Sequence, residues 1–196
     1  MADALAGKKE VFFVDAAHFV RQGFIGRLWC FAKVWLRAPS GRERFNVLGA
    51  LNAVTKETIT VTNASYINSW SLVELLFKLR KRQLETGVPI SIILDNAGYQ
   101  ICSLVQEVAS SLSIELIYLP SYSPNLNLIE RMWKYVKKKC LYSKEFSNFD
   151  IFCKSISECI EKAHVEHLNE LNTLLTWRFQ KLPKATANVT NLNGSF

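Results

Sequence analysis

The stretch that decides the fold covers residues 88–140. It begins Val88-Pro-Ile-Ser-Ile-Ile-Leu-Asp95-Asn-Ala-Gly-Tyr-Gln100. After a segment with a helical pattern, it continues Ile114-Glu-Leu-Ile-Tyr-Leu-Pro120-Ser-Tyr-Ser-Pro124-Asn-Leu-Asn-Leu-Ile-Glu130-Arg-Met-Trp133-Lys-Tyr-Val-Lys-Lys-Lys-Cys140. Two short apolar runs, 90–94 and 114–119, each precede a helical segment. This alternation predicts parallel strands joined by crossover helices.

The preceding part of the chain adds a three-stranded antiparallel meander. Apolar or alternating patterns predict strands at 11–14, 45–55 and 58–62, with a tight turn at Lys56-Glu57. A helix is predicted at 69–87, capped by Ser69 or Ser71. The fold class is therefore α/β, with a mixed five-stranded sheet (three antiparallel strands, then two parallel strands) flanked by helices.

Composition limits the class of protein. The chain has 196 residues, enough for one domain with a core, and a net charge of +7, which favours an anionic partner. Its five cysteines form no C-x-x-C pair and no signal peptide precedes them, so we expect reduced thiols and a cytoplasmic or nucleoid-associated protein. No apolar run reaches the roughly 18 residues of a membrane span.

Two acids follow apolar strands directly. Asp15 comes after the run 11–14 and Asp95 after the run 90–94. Sites in open α/β sheets form at the carboxyl ends of the strands, so parallel neighbours would bring these carboxylates together. Such like charges need a cation, and oxygen ligands suit Mg²⁺ or Mn²⁺.

A third acid, Glu130, lies in a predicted helix at 123–140. We expect Ser123 to cap this helix and Pro124 to occupy its first position. A buried stripe is predicted at Leu126, Ile129, Trp133 and Val136, and a second stripe at Asn127, Glu130, Lys134 and Lys137. Glu130 and Lys134 could also form an ordinary i, i+4 ion pair.

These residues resemble the DDE transposases of bacterial insertion sequences in the mariner-related superfamily. The resemblance rests on Phe13-Val-Asp15-Ala-Ala-His18-Phe, on Leu94-Asp95-Asn96-Ala97 and on the block from Leu119 to Trp133. The 34 residues between Asp95 and Glu130 match the spacing typical of that group. The resemblance implies an RNase H-like fold in which Asp15, Asp95 and Glu130 bind two Mg²⁺ ions, with Mn²⁺ tolerated.

The resemblance also implies DNA as the partner, both as transposon ends and as target DNA, with self-association in a transposition complex. Candidate DNA contacts are Asn127, Lys134, Lys137 and Lys138; candidate residues supporting the acids are Asn96, His18 and Gln100. Gln100 stands where many relatives have His. Only 14 residues precede Asp15, so we expect the helix-turn-helix region that reads transposon ends to be encoded elsewhere.

The predicted organisation is a flexible leader at 1–9, a catalytic domain at 10–145, a helical extension of the same domain at 146–183 and a frayed tail at 184–196. The predicted function is metal-dependent cleavage at transposon ends and transfer of the 3′-hydroxyl strand into target DNA. Two alternatives stay open: an RNase H-like nuclease without strand transfer, and an inactive, co-opted transposase that only binds nucleic acid.

Overall fold

A computed structural model describes residues 2–21, 43–83, 87–120, 123–142 and 144–177. The strands are β1 (Glu10–Val20), β2 (Arg44–Asn52), β3 (Thr58–Asn63), β4 (Ile90–Leu94) and β5 (Ile114–Tyr118). The helices are α1 (Ala2–Leu5), α2 (Ser69–Gln83), α3 (Ser103–Ser111), α4 (Ile129–Val136), α5 (Phe149–Glu166) and α6 (Leu168–Leu174). Turns of 3₁₀-helix cover Gly98–Gln100 and Pro124–Leu126, and a π-helical turn, Lys137–Leu141, follows α4.

The five strands form one sheet in the order β3-β2-β1-β4-β5. β1, β2 and β3 pair antiparallel, whereas β4 pairs parallel with both β1 and β5. The predicted mixed sheet of three antiparallel and two parallel strands is therefore confirmed. Its short, nearly continuous apolar strands are typical of a sheet covered on both faces.

Alternate residues of the strands feed two separate cores. Phe13, Ala17 and Phe19 of β1 face α4, α5 and α6, while Phe12 and Val14 face α2 and α3. Successive side chains of a strand point to opposite faces, so β1 contributes to both cores at once. The molecule is thus a three-layer arrangement with β1 at its centre.

Two helix boundaries differ from the sequence predictions. Asn68, rather than Ser69 or Ser71, caps α2, because its side-chain oxygen accepts a hydrogen bond from the Ser71 amide at 3.0 Å. The predicted leader contains the short helix α1, in which Ala4 is buried against the core. The predicted end of α2 and the tail at 184–196 lie outside the described residues.

The expectation of reduced cysteines is wrong for one pair. Cys140 and Cys159 form a disulfide, with their Cα atoms 6.8 Å apart. Packing of α5 against the π-helical turn after α4 brings them together, which their 19-residue separation does not reveal. Cys102 and Cys153 are free. No helix in the described part of the chain is long and apolar enough to span a membrane.

Candidate active site

Asp15 lies within β1, and Asp95 directly follows the end of β4, the strand that pairs parallel with β1. The register pairs Phe13 with Ile93, so each acid comes two residues after a paired position. The prediction that β1 ends before Asp15 is wrong. β1 stays paired with β2 as far as Val20. This pairing supplies backbone hydrogen bonds to β1 beyond the point where its other neighbour, β4, ends.

The Asp15 carboxylate is held by an indole. Its Oδ2 accepts a hydrogen bond from Trp133 Nε1 at 3.0 Å. Trp133 is also a core residue, as predicted, and its ring meets Phe19 edge to face at 6.3 Å between centroids. Gly49 pairs directly with Asp15 across β1 and β2, and its missing side chain leaves the space that the indole occupies.

The Asp95 carboxylate is held by Asn127. Asn127 Nδ2 donates to Asp95 Oδ1 and to the Val14 carbonyl, both at 3.1 Å. Asn127 is 2% exposed, and its own side-chain oxygen is buried without a hydrogen-bond partner. One amide therefore joins Asp95 to the backbone that leads into Asp15.

Glu130 lies in the first turn of α4 and is half-buried. Its amide donates to the Asn127 carbonyl at 3.3 Å. The prediction that Ser123 and Pro124 begin this helix is wrong: they begin a separate 3₁₀ turn, and α4 starts at Ile129. Among the described residues, no ion pair joins Glu130 to Lys134, so the simple surface-pair alternative has no support.

The three carboxylates interact electrostatically. Burial raises the pKa of Asp15 from 3.8 to about 7, and the charges of Asp95 and Glu130 add to the effect. Hydrogen bonds from the Ala16 amide and the Trp133 indole act in the opposite direction. Burial, with the same two aspartates contributing, also raises the pKa of Tyr99 to about 12. The site is thus a concentration of negative charge that a cation would relieve.

The donor set suits a hard cation that keeps part of its water. Among the described residues, no group of three or more His, Cys, Asp or Glu side chains could hold a metal ion as it stands. Mg²⁺ usually uses one or two carboxylates together with waters and substrate phosphates, rather than a closed protein cage. Asp15, Asp95 and Glu130, whose charges act on one another, match that requirement.

The predicted supporting residues form hydrogen bonds with groups other than the carboxylates. His18 is three residues along β1 from Asp15, so it points to the opposite face, and its Nδ1 lies 2.6 Å from Asn46 Oδ1. Asn96 donates to the Leu119 carbonyl at 2.6 Å, linking the ends of β4 and β5. Gln100 is buried and accepts from the Ala97 amide at 3.2 Å, which orders the loop after Asp95.

The candidate DNA contacts are divided by burial. Lys134 and Lys138 are exposed, whereas Lys137 is half-buried with its Nζ 5.9 Å from the centre of the Phe19 ring. Asn127 is buried, which contradicts its prediction as a DNA contact, since it lies before α4 and not on the exposed stripe of that helix. The predicted buried stripe of the helix is largely observed, with Ile129, Trp133 and Val136 in the core.

Sequence reasoning missed two residues of the site. Gly49 interrupts the strand pattern of β2, and an isolated glycine in a strand is a known sign of close approach by another group. Tyr99 lies in the 3₁₀ turn after Asp95, where its hydroxyl accepts a hydrogen bond from Gln100 Nε2 at 3.3 Å. No pattern marked Tyr99 before the loop was folded.

A mixed five-stranded sheet flanked by helices, with one acid on the central strand and another directly after its parallel neighbour, is the RNase H-like fold. The chain belongs to the DDE superfamily endonuclease family, whose model matches residues 10–153. A sequence relative is the uncharacterized protein y4pE/y4sA of Sinorhizobium fredii, 29% identical over 69 residues, which are 35% of this chain and 49% of that protein. The chain thus spans about half the length of the curated relative it matches.

Solved structures support the fold. The Mos1 transposase paired-end complex with the left transposon end is 11% identical with a TM-score of 0.58, over 86% of this chain and 56% of that one. The Mos1 mariner paired-end complex with Mn is 10% identical with a TM-score of 0.59, over 84% of this chain and 56% of that one. At such identities the similarity defines the fold alone.

Proposed function

We propose that this chain is the catalytic domain of a DNA transposase. It cleaves phosphodiester bonds at transposon ends in a metal-dependent reaction and transfers the 3′-hydroxyl strand into target DNA. The observation that supports the proposal is the parallel register, in which each aspartate comes two residues after a paired position, together with the electrostatic effect of Asp95 and Glu130 on Asp15.

Asp15, Asp95 and Glu130 would hold two Mg²⁺ ions, with Mn²⁺ tolerated. Metal ions bound there would make a stronger nucleophile available at neutral pH and would stabilise the leaving oxygen. Trp133 orients the Asp15 carboxylate and Asn127 orients that of Asp95. Mos1 mariner paired-end complexes of similar fold were solved with Mn and with Mg, which supports these cations.

DNA is the proposed partner. The net charge of +7 favours a polyanion, and the exposed Lys134 and Lys138 project from α4 and the turn after it. Similar folds occur in complexes of Mos1 with transposon ends and in its strand transfer complex. The active assembly contains more than one copy of the chain.

A nicking assay tests the catalytic assignment. With supercoiled plasmid and Mg²⁺ or Mn²⁺, wild type is expected to nick DNA and Asp95→Asn to lose this activity. The variant should stay folded, because Asn at 95 still offers an oxygen to Asn127 Nδ2. The matched control is Asp150→Asn, an exposed acid in the first turn of α5. Equal nicking by wild type and Asp95→Asn would exclude the proposed role.

Strand transfer needs its own measurement. Precut duplexes with a free 3′-hydroxyl are incubated with target plasmid, and covalently joined products are counted. Joined products that depend on Asp15, Asp95 and Glu130 support the transposase. Cutting without joining supports the nuclease alternative, and DNA binding without either reaction supports the inactive, co-opted alternative.

A further inference from the structure

Asn127 contacts all three segments that carry the acids. Its side chain bonds to the Asp95 carboxylate and to the Val14 carbonyl, the residue before Asp15. Its backbone carbonyl accepts the Glu130 amide. Asn127 therefore lies where the mutual spacing of these three segments is set.

The amide oxygen of Asn127 is unexplained by the fold. Both bonds of Nδ2 are made, while Oδ1 is buried and has no partner, in a residue that is 2% exposed. A buried acceptor without a hydrogen bond is destabilising, and native structures rarely keep one without a reason. The orientation of the amide is determined by its neighbours, because only an N–H can donate to the two oxygens that Nδ2 contacts.

We propose that Asn127 is a positioning residue of the metal site: it fixes Asp95 against the backbone before Asp15 and the start of the helix that carries Glu130, and so sets the spacing of the three acids for a cation. This inference rests on the proposed function. The residues that orient metal ligands through hydrogen bonds typically change metal affinity by 10–100-fold when they are removed.

The position of Asn127 explains why a neutral amide is required. A carboxylate there would repel Asp95, and an apolar side chain would leave the Val14 carbonyl and the Asp95 carboxylate without their shared donor. The amide donates toward both segments through Nδ2, while its Oδ1 stays buried without a partner. Asn127 therefore acts through Asp95 and the backbone before Asp15, without contacting the reacting atoms.

The test measures Mn²⁺ binding to the full chain without DNA by isothermal titration calorimetry. Asn127→Leu keeps the volume and removes both polar atoms, and we expect its Kd for Mn²⁺ to rise at least about tenfold. Asn125→Leu is the matched control, the same change two residues away at an exposed position of the 3₁₀ turn. Its Kd should equal that of wild type. Near-ultraviolet circular dichroism checks that each variant is folded.

A second variant, Asn127→Ser, tests the inference if Asn127→Leu does not fold. Asn127→Ser retains a hydroxyl that is too short to reach both acceptors, so its affinity for Mn²⁺ should fall as well. If wild type binds Mn²⁺ and the folded Asn127 variants bind it equally well, the inference is overturned while the proposed function stands. If wild type itself binds no Mn²⁺, the proposed metal site and this inference fail together.

Discussion

Replacing Gly49 with alanine tests how the site is supported. A Cβ at this position would lie 2.5 Å from Cη2 and 2.9 Å from Cζ2 of Trp133, and 3.1 Å from Cδ1 of Ile129. Non-bonded carbon atoms rest about 3.5–4.0 Å apart. The indole must therefore withdraw by about 1 Å, because Gly49 lies in a paired strand whose backbone is held on both sides.

The displacement of the indole has a cost that can be worked out. Trp133 Nε1 lies 3.0 Å from Asp15 Oδ2, and a movement of about 1 Å breaks a hydrogen bond of that length. Overpacking of a core typically costs about 1–3 kcal/mol, and a hydrogen bond to a charged group contributes about 1.5–3 kcal/mol. Since the movement partly relieves the clash, we expect the free energy of unfolding to fall by about 2–3 kcal/mol.

Activity should fall together with stability. Asp15 without its indole donor is less well oriented, and we expect metal-dependent nicking by Gly49→Ala to drop about tenfold, the effect usual for a lost ligand-orienting contact. Stability is measured by urea denaturation and nicking at saturating Mg²⁺. Gly98→Ala is the control, since a Cβ there meets nothing within 4 Å although the residue lies close to Asp95 in sequence. It should change stability by less than about 0.5 kcal/mol.

A double variant separates this mechanism from general loss of stability. Trp133→Phe removes the Nε1 donor and the part of the indole that a Cβ at Gly49 would contact. In that background, Gly49→Ala should therefore lower the free energy of unfolding by at least about 1 kcal/mol less than it does in wild type. Wild-type stability and nicking in Gly49→Ala would refute the reasoning. Strict additivity of the two changes would refute the claim that Gly49 acts through Trp133.

Two further predictions concern charge. In metal-free buffer the folded protein binds a proton at Asp15 more tightly than the unfolded chain, so wild-type stability should fall as the pH rises from about 4 to about 7. Asp15→Asn should abolish that dependence and be more stable above pH 7 by up to about 4 kcal/mol in thermal unfolding, since a shift of one pKa unit corresponds to about 1.4 kcal/mol. An unchanged pH profile would contradict the shift. Replacing Lys134 and Lys138 with alanine should reduce the slope of log K for DNA against log salt by about 2, as fluorescence anisotropy can measure. Lys154→Ala, on the exposed surface of α5, is the control. An unaltered slope in the variant lacking Lys134 and Lys138 would indicate that DNA binds another surface.

Local pattern was sufficient to predict the order and type of the strands. The apolar run at 90–94 is β4, and the run at 114–119 exceeds β5 by one residue. Each is bounded by residues that do not continue a strand. The pattern failed for β1, since Asp15 and His18 break the apolar run, yet pairing with β2 carries the strand to Val20. Hydrogen bonding to a distant strand outweighed the local signal.

The start of α4 shows a second limit of local pattern. Ser123 and Pro124 are a typical helix beginning, but the chain uses them for one 3₁₀ turn and begins α4 at Ile129. The offset lets Asn127 turn inward to Asp95. A tertiary hydrogen bond thereby decided where the helix begins, and no pattern within residues 123–130 expresses that contact.

The sequence by itself determined which acids are available, their spacing and the strands that carry two of them. Only the tertiary structure decided how they are held: Trp133 on Asp15, Gly49 beneath the indole, and Asn127 between Asp95 and the Val14 carbonyl. Composition and periodicity indicate whether each segment favours a helix or a strand. The contacts that orient the carboxylates join residues as far as 118 positions apart, and they exist only once the sheet and α4 have packed together.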